Sequence, residues 1–317
     1  MKTLLTLLLI TLIGIVSTSC FRVGKDSYKL LDSNFPGMVS KPFGVGTLLP
    51  NKKFMQYCSF SPEGKGFYFS VTDSAWGKST ILKLNVLHPS QTDTLRLTSG
   101  DYQSEQFIDK SNSKMFFTSI LFSGGEWNSD IYIAEKIGGK WGNAQHLKEP
   151  INSNMCEWHP TLTNKGVMYF ASERNSDHTS ADLYKAVPVN GVYETIERLP
   201  SPVNTSYNES DALIAPDESY LIFSSNRPGG ISGNDLYQRP NGSGELDLYI
   251  TFNKGNNQWT DPQNLGPNIN TDAWEFGPAL SPDGKYLFFT RRKAFKTLES
   301  SQIYWVSIKF IDQFREK

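Results

Sequence analysis

GPALSPDGKYLFFT, residues 277–290, reads as two short strands joined by a tight turn, with apolar positions on either side of Ser281-Pro282-Asp283-Gly284-Lys285. Pro282 presets its own φ for the turn, and Gly284 accepts the positive φ that closes it. The same plan returns in CSFSPEGKGFYFS (58–70), FIDKSNSKMFFTS (107–119), HPTLTNKGVMYFAS (159–172) and DALIAPDESYLIFSS (211–225). Aromatic-rich runs bounded by turn residues are strand signals. A repeat near 50 residues is the period of a propeller blade. Aligning the turns sets Met55, Glu105, Glu157, Glu209 and Glu275 at one position, the head of each first strand.

Each copy continues into a third run, such as DIYIAE (130–135) or DLYITF (247–252), and most add a weaker fourth, such as YETIERL (193–199). The last copy stops at its third run, so FGVGTLLP (43–50) is expected to supply the missing strand and close the ring. Closure leaves only short, protected sheet edges. The expected fold is all-β, a five-bladed β-propeller of four-stranded antiparallel blades over residues 41–317. A six-bladed ring is the alternative and needs residues 21–54 to form most of a blade, where strand signals are few. One closed unit absorbs 317 residues without a second domain.

SPDGKYLFF (281–289), SSNRPGG (224–230), the recurring DLY and NLGPNINT (264–271) resemble the TolB-like, WD-repeat-like propeller repeats of bacterial envelope proteins, over nearly all of residues 40–312. The resemblance implies the fold strongly and the activity weakly, because propellers host lyases, hydrolases, peptidase domains and binding modules. A bare propeller is expected.

The chain begins with Lys2, an apolar run from Leu4 to Val16, and Ser17-Thr18-Ser19 before Cys20. This reads as a signal peptide over residues 1–19, the apolar run being too short for a membrane span. The small residues before Cys20 resemble a bacterial lipobox, with Ser17 where Leu is usual. That implies acylation of Cys20, a lipidated N-terminus and tether over 20–40, and a lipid-anchored place in the cell envelope, at the outer membrane facing the periplasm. An ordinary secretory signal is the alternative. A net charge of −1 supplies no basic field for nucleic acid. Cys58 and Cys156 are expected as buried thiols, and without a CxxC or a ligand-like His spacing no metal and no cofactor is expected. A monomer is expected.

The repeated carboxylates Glu105, Glu157, Glu209 and Glu275 admit two readings. They form a ring around the channel mouth, or they pair with Arg174, Arg227 and Arg292 at the ends of the second strands as fasteners. Asp130, Asp182 and Asp247, which open third strands, read as structural acceptors. Positions that vary between copies are the better site candidates: Trp158, His159, Asp211 and Trp274 offer aromatic faces and convergent polar groups. The expected function is an envelope-anchored binding module for a glycan, a peptide or a partner protein. The alternative is a glycan-cleaving hydrolase or lyase using Glu157, Glu209 or Glu275, with His159 and His178 available to a metal-assisted lyase. No GxSxG elbow, HExxH helix or phosphate loop is present. The Gly-, Asn- and Ser-rich stretch between Arg227 and Asp247 reads as a long loop on one face.

Overall fold

The computed structural model describes residues 24, 27–44, 48, 54–73, 77–120, 128–175, 180–230, 246–293 and 301–315. The predicted signal peptide, Cys20, His178 and residues 231–245 of the long loop lie outside them. Among the described residues the strands form antiparallel groups, described below as sheets I to V, of which the first two are joined by one parallel pair, Ser79 with Tyr102. Sheet I is Met55–Phe60, Gly66–Thr72, Ser79–Asn85 and His88–Leu95. Sheet II is Tyr102–Ile108, Lys114–Ile120 and Ser129–Ile137, edged by Lys140–Trp141 and Gln145–His146. Sheet III is Glu157–Leu162, Met168–Ser172, Asp182–Val189 and Val192–Arg198. Sheet IV is Glu209–Ile214, Tyr220–Ser225 and Asp247–Gly255, edged by Gln258–Trp259 and Gln263–Asn264. Sheet V is Trp274–Leu280, Tyr286–Arg292 and Ser301–Ser307.

First strands of successive sheets pack side by side, and the first strand of sheet V meets that of sheet I. The molecule is a β-propeller. Its core lies between sheets, where each buried aromatic removes a large apolar area from water. Phe60, Phe67 and Phe69 of sheet I, for example, join Phe288 and Trp305 of sheet V in one buried cluster.

The ring is latched by the N-terminal segment, as expected; of FGVGTLLP, residues 45–47 and 49–50 lie outside the described residues. Lys41–Pro42 pairs with the third strand of sheet V, Lys41 opposite Trp305 and Pro42 opposite Tyr304, and the Phe43 N–H donates to the Ile303 carbonyl at 2.9 Å. The chain leaves the edge there for a packing reason. The Phe43 ring is fully buried against Phe67, Phe288 and Trp305, and Gly44 at φ +66° turns the backbone so that the Leu48 N–H bonds back to the Gly44 carbonyl. Upstream, residues 27–40 are docked on the ring. Ser27–Leu30 forms a short 3-10 turn, Tyr28 and Leu31 are fully buried, and the Tyr28 hydroxyl donates to the Asp283 carboxylate at 3.1 Å. Cys58 and Cys156 are buried free thiols. Among the described residues no helix is long and apolar enough to cross a bilayer.

Every first strand carries a bulge after its head. The register breaks between Gln56 and Cys58, Ser104 and Phe107, Trp158 and Thr161, Ser210 and Leu213, and Phe276 and Ala279. At these breaks Tyr57, Glu105, His159, Asp211 and Gly277 take positive φ between 44° and 60°. Four of the five are not glycine, a backbone cost of about 1–2 kcal/mol each that the surrounding ring must offset.

Candidate functional site

The bulges bring side chains from different sheets to the ring centre. The Tyr57 ring stands 5.6 Å from that of His159 and 5.2 Å from that of Phe276. A Cβ on Gly277 would come within 2.6 Å of the Tyr57 ring, so glycine is what lets that ring occupy the axis. Glu105 accepts from the Thr118 hydroxyl at 2.7 Å and from the His159 backbone N–H at 2.9 Å, and the Tyr57 hydroxyl faces it. Burial raises the Glu105 carboxyl to about 7. His159 Nδ1 is 3.7 Å from Asp211 Oδ1, beyond hydrogen-bond reach, and neither ring nitrogen finds a partner. The Pro278 carbonyl faces the imidazole without closing a bond. Burial lowers the His159 imidazole to about 3 and holds it neutral, while burial and the nearby Glu105 push the Asp211 carboxyl well up. Among the described residues no group of three or more His, Cys, Asp or Glu is placed to hold a metal ion.

Glu157, Glu209 and Glu275 stand elsewhere, at the strand heads, each filled by donors. Glu157 accepts from the Ser153 N–H and hydroxyl at 2.8 and 2.6 Å, from the Ser172 hydroxyl at 2.5 Å and from Arg174 at 3.2 Å. Glu209 repeats this with Thr205, Ser225 and Arg227, the last at 3.0 Å. Glu275 takes Thr271 at 3.1 and 2.7 Å and the Arg291 Nε at 2.6 Å. The partner in sheet V is thus Arg291, not Arg292. Arg174 and Arg227 follow the serine opposite the glutamate by two residues, whereas Arg291 occupies that opposite position itself. Arg292 is buried with its guanidinium 5.4 Å from the Phe54 ring.

Each of the three arginines lies against a Phe–Tyr pair of stacked rings, Phe170 and Tyr184, Phe223 and Tyr249, and Phe289 and Tyr304. Their remaining donors reach the crossover carbonyls of Ile151, Val203 and Ile269. Burial raises the Glu157 and Glu209 carboxyls and takes Glu275 to about 7 against the pull of Arg291. These carboxylates are engaged by their own sheets.

Glu105 does not belong to that series. The residue of sheet II in register with the other heads is Gln103, which faces Ser119 and accepts the backbone N–H groups of Leu97 and Thr98 at 2.8 and 3.3 Å. Glu105 lies two residues on, in the bulge position shared with Tyr57, His159, Asp211 and Gly277. Trp158 is half-buried against the core cluster of sheets III and IV, and Trp274 is half-buried at a strand head. Asp130, Asp182 and Asp247 bond across to the fourth-strand side chains His146, Arg198 and Asn264 at 3.2, 2.6 and 2.7 Å.

A cavity of about 910 Å³ enters the ring from the face bearing the turns between first and second strands, and all five of these turns contribute to its rim. Its walls are mainly apolar, including Phe60, Phe107, Phe116, Leu162, Leu213 and Ala279, and one branch runs outward between sheets II and III past Ile133, Ile151 and Tyr193. Glu105, His159 and the Cys58 thiol are buried ionisable groups that line it. Lys110 and Lys165 stand at its rim. Of the residues singled out from sequence, Glu105 and His159 line this cavity; Asp211 adjoins His159, and the other candidates are not among the lining residues.

No protein-family model matches the chain, and no curated protein matches it. Among solved structures it is similar to TolB from Acinetobacter baumannii, with 13% identity, 80% of this chain and 57% of that one covered, and a TM-score of 0.49. It is also similar to a thermostable family-43 glycoside hydrolase, with 10% identity, 78% and 88% covered, and a TM-score of 0.50. A third is a glucose dehydrogenase, with 10% identity, 84% and 99% covered, and a TM-score of 0.48. This chain spans a little over half the length of the TolB it matches. Likenesses at these identities concern the fold alone.

Proposed function

We propose that the chain is an envelope lipoprotein, anchored through Cys20, whose propeller binds a segment of a partner protein in its central cavity. The cavity carries this reading. Its 910 Å³ falls within the usual range of ligand sites, its walls are apolar, and a few polar groups converge at its inner end. Apolar walls with proline and phenylalanine suit peptide side chains better than a sugar, which needs stacking faces ringed by hydrogen-bonding groups. The two tryptophans that would suit a glycan do not line the cavity. An imidazole 6% exposed with neither nitrogen bonded is a desolvated group, and a donor or acceptor carried by a ligand would satisfy it.

Immobilising the full chain against peptide and glycan panels tests the proposal. Peptide binding is expected, and Ala279→Arg, which fills the cavity from its wall, is expected to weaken it about tenfold when read well below the Tm of the variant. Saccharide turnover without peptide binding would reject the proposal in favour of a hydrolase.

A further inference from the structure

We infer that the ring lies with one particular face on the bilayer, the face formed by the turns between first and second and between third and fourth strands. This rests on the Cys20 anchor proposed above. The first observation is the shortness of the leash. Gly24 is pinned to Ser27, whose hydroxyl donates to the Gly24 carbonyl at 2.7 Å and accepts from its N–H at 3.1 Å. Ser27 opens the turn that buries Tyr28, and Tyr28 is bonded to Asp283 in the first turn of sheet V. Three residues separate Cys20 from Gly24, four Cα-to-Cα steps with a reach of at most about 14 Å. Acyl chains on Cys20 therefore hold that turn close to the headgroups.

The second observation is where apolar side chains are exposed. Ile137 beside Gly138-Gly139, at 75% exposure, and Val187, Val189 and Val192 around Asn190-Gly191 sit at the tips joining third and fourth strands in sheets II and III. Strands alternate in direction, so these tips share a face with the turns that rim the cavity. Phe35, also exposed, stacks on Tyr286, the strand residue just after the sheet V turn. Apolar groups thus project at sheets II, III and V, three points that define a plane.

Lysines accompany them: Lys140, Lys165 and Lys285 are exposed on the same turns, and Lys29 lies 5.8 Å from the Phe35 ring. Apolar tips flanked by ammonium groups suit the interface of a membrane with anionic lipid. Glu63, Asp109, Asp217, Glu218 and Asp283, the last paired with Lys285 at 3.6 Å, lie on the same face and offset this charge, so the apolar tips lead the contact. Because the cavity opens on this face, its occupant arrives from the membrane side, carried by a membrane-borne partner.

The native acylated chain is reconstituted in vesicles of phosphatidylethanolamine and phosphatidylglycerol, with an environment-sensitive fluorophore on Val189→Cys or, on the opposite face, on Asp272→Cys. Cys58 and Cys156 are buried, and the chain without an added cysteine, carried through the same labelling, gives their background. The label at 189 is expected to shift to the blue and be quenched by aqueous iodide about threefold less than the label at 272. Replacing Ile137 and Val192 with Glu is expected to abolish the difference. Equal quenching at both sites, or shielding at 272, overturns the inference. Mass analysis of Cys20 separates the two proposals: an unacylated chain removes the anchor and this inference with it, whereas an acylated chain with equal quenching counts against the face alone.

Discussion

At the ring axis, five backbone positions of like geometry carry five different residues: Tyr57, Glu105, His159, Asp211 and Gly277. Like geometry with unlike chemistry is what distinguishes a lining from a scaffold. Glu105 and His159, both lining the cavity, have opposite linkage to pH. Glu105 is raised by burial from 4.5 to about 7, so the folded state binds more protons than the unfolded state between those values. Its contribution to stability is complete below 4.5 and is lost as pH rises to 7. His159 is lowered from 6.5 to about 3, so its contribution is lost as pH falls from 6.5. Glu105→Gln is expected to raise stability at pH 8 by about 1–3 kcal/mol and to change it little at pH 4, read by chemical denaturation at the two values. Gly277→Ala meets the Tyr57 ring at 2.6 Å from a positive φ and is expected to lower stability by about 2–4 kcal/mol in thermal melts. Placing Glu105 among the strand heads followed residue type. Counting the 16 positions that separate Glu209 from Ser225 back from Ser119 would have reached Gln103, so the correct register was present in the spacing. The bulge, which decides what faces the axis, leaves no mark in hydrophobic alternation.

At the scale of the strand crossovers, one motif does most of the fastening: Asn-Ser/Thr-x-x-x-Glu at 152–157, 204–209 and 270–275. The asparagine bonds both backbone groups of the third strand, as Asn204 does with the Leu183 N–H and carbonyl at 2.8 Å. The hydroxyl residue and the glutamate close the loop, and the arginine lying against the aromatic pair ties it down. Asn204→Ala strands buried donors and acceptors and is expected to cost about 2–4 kcal/mol. Arg227→Met leaves Glu209 buried without its cation and is expected to cost about 3–5 kcal/mol at pH 8, less at pH 4 where the carboxyl is neutral. The exposed Arg198 pair with Asp182 is the contrast, with Arg198→Ala costing no more than about 1 kcal/mol. Glutamate–arginine pairing is legible in the sequence because both residues recur. The asparagine recurs at the same spacing, but the strand it bonds and the choice of Arg291 over Arg292 are not legible, since they depend on which side chain a twisted strand turns toward the crossover.

For the whole molecule, the repeat declared the propeller, and the incomplete last copy declared that the N-terminus must complete it. What the sequence withheld was how far the upstream segment is built in, because Tyr28, Leu31 and Phe43 are too few and too widely spaced to form a pattern. Removing residues 24–44 is expected to uncover Trp305 and lower Tm by about 10 °C or more. The latch itself is two residues, Lys41 and Pro42, bonded to a strand more than 250 positions later. The N-terminal latch therefore stays unpaired until a strand near the other end of the repeats is in place. Until Ser301–Ser307 arrives, the earlier sheets stack as an unclosed arc with a bare edge at each end, and that interval is when the chain most needs a chaperone at its side.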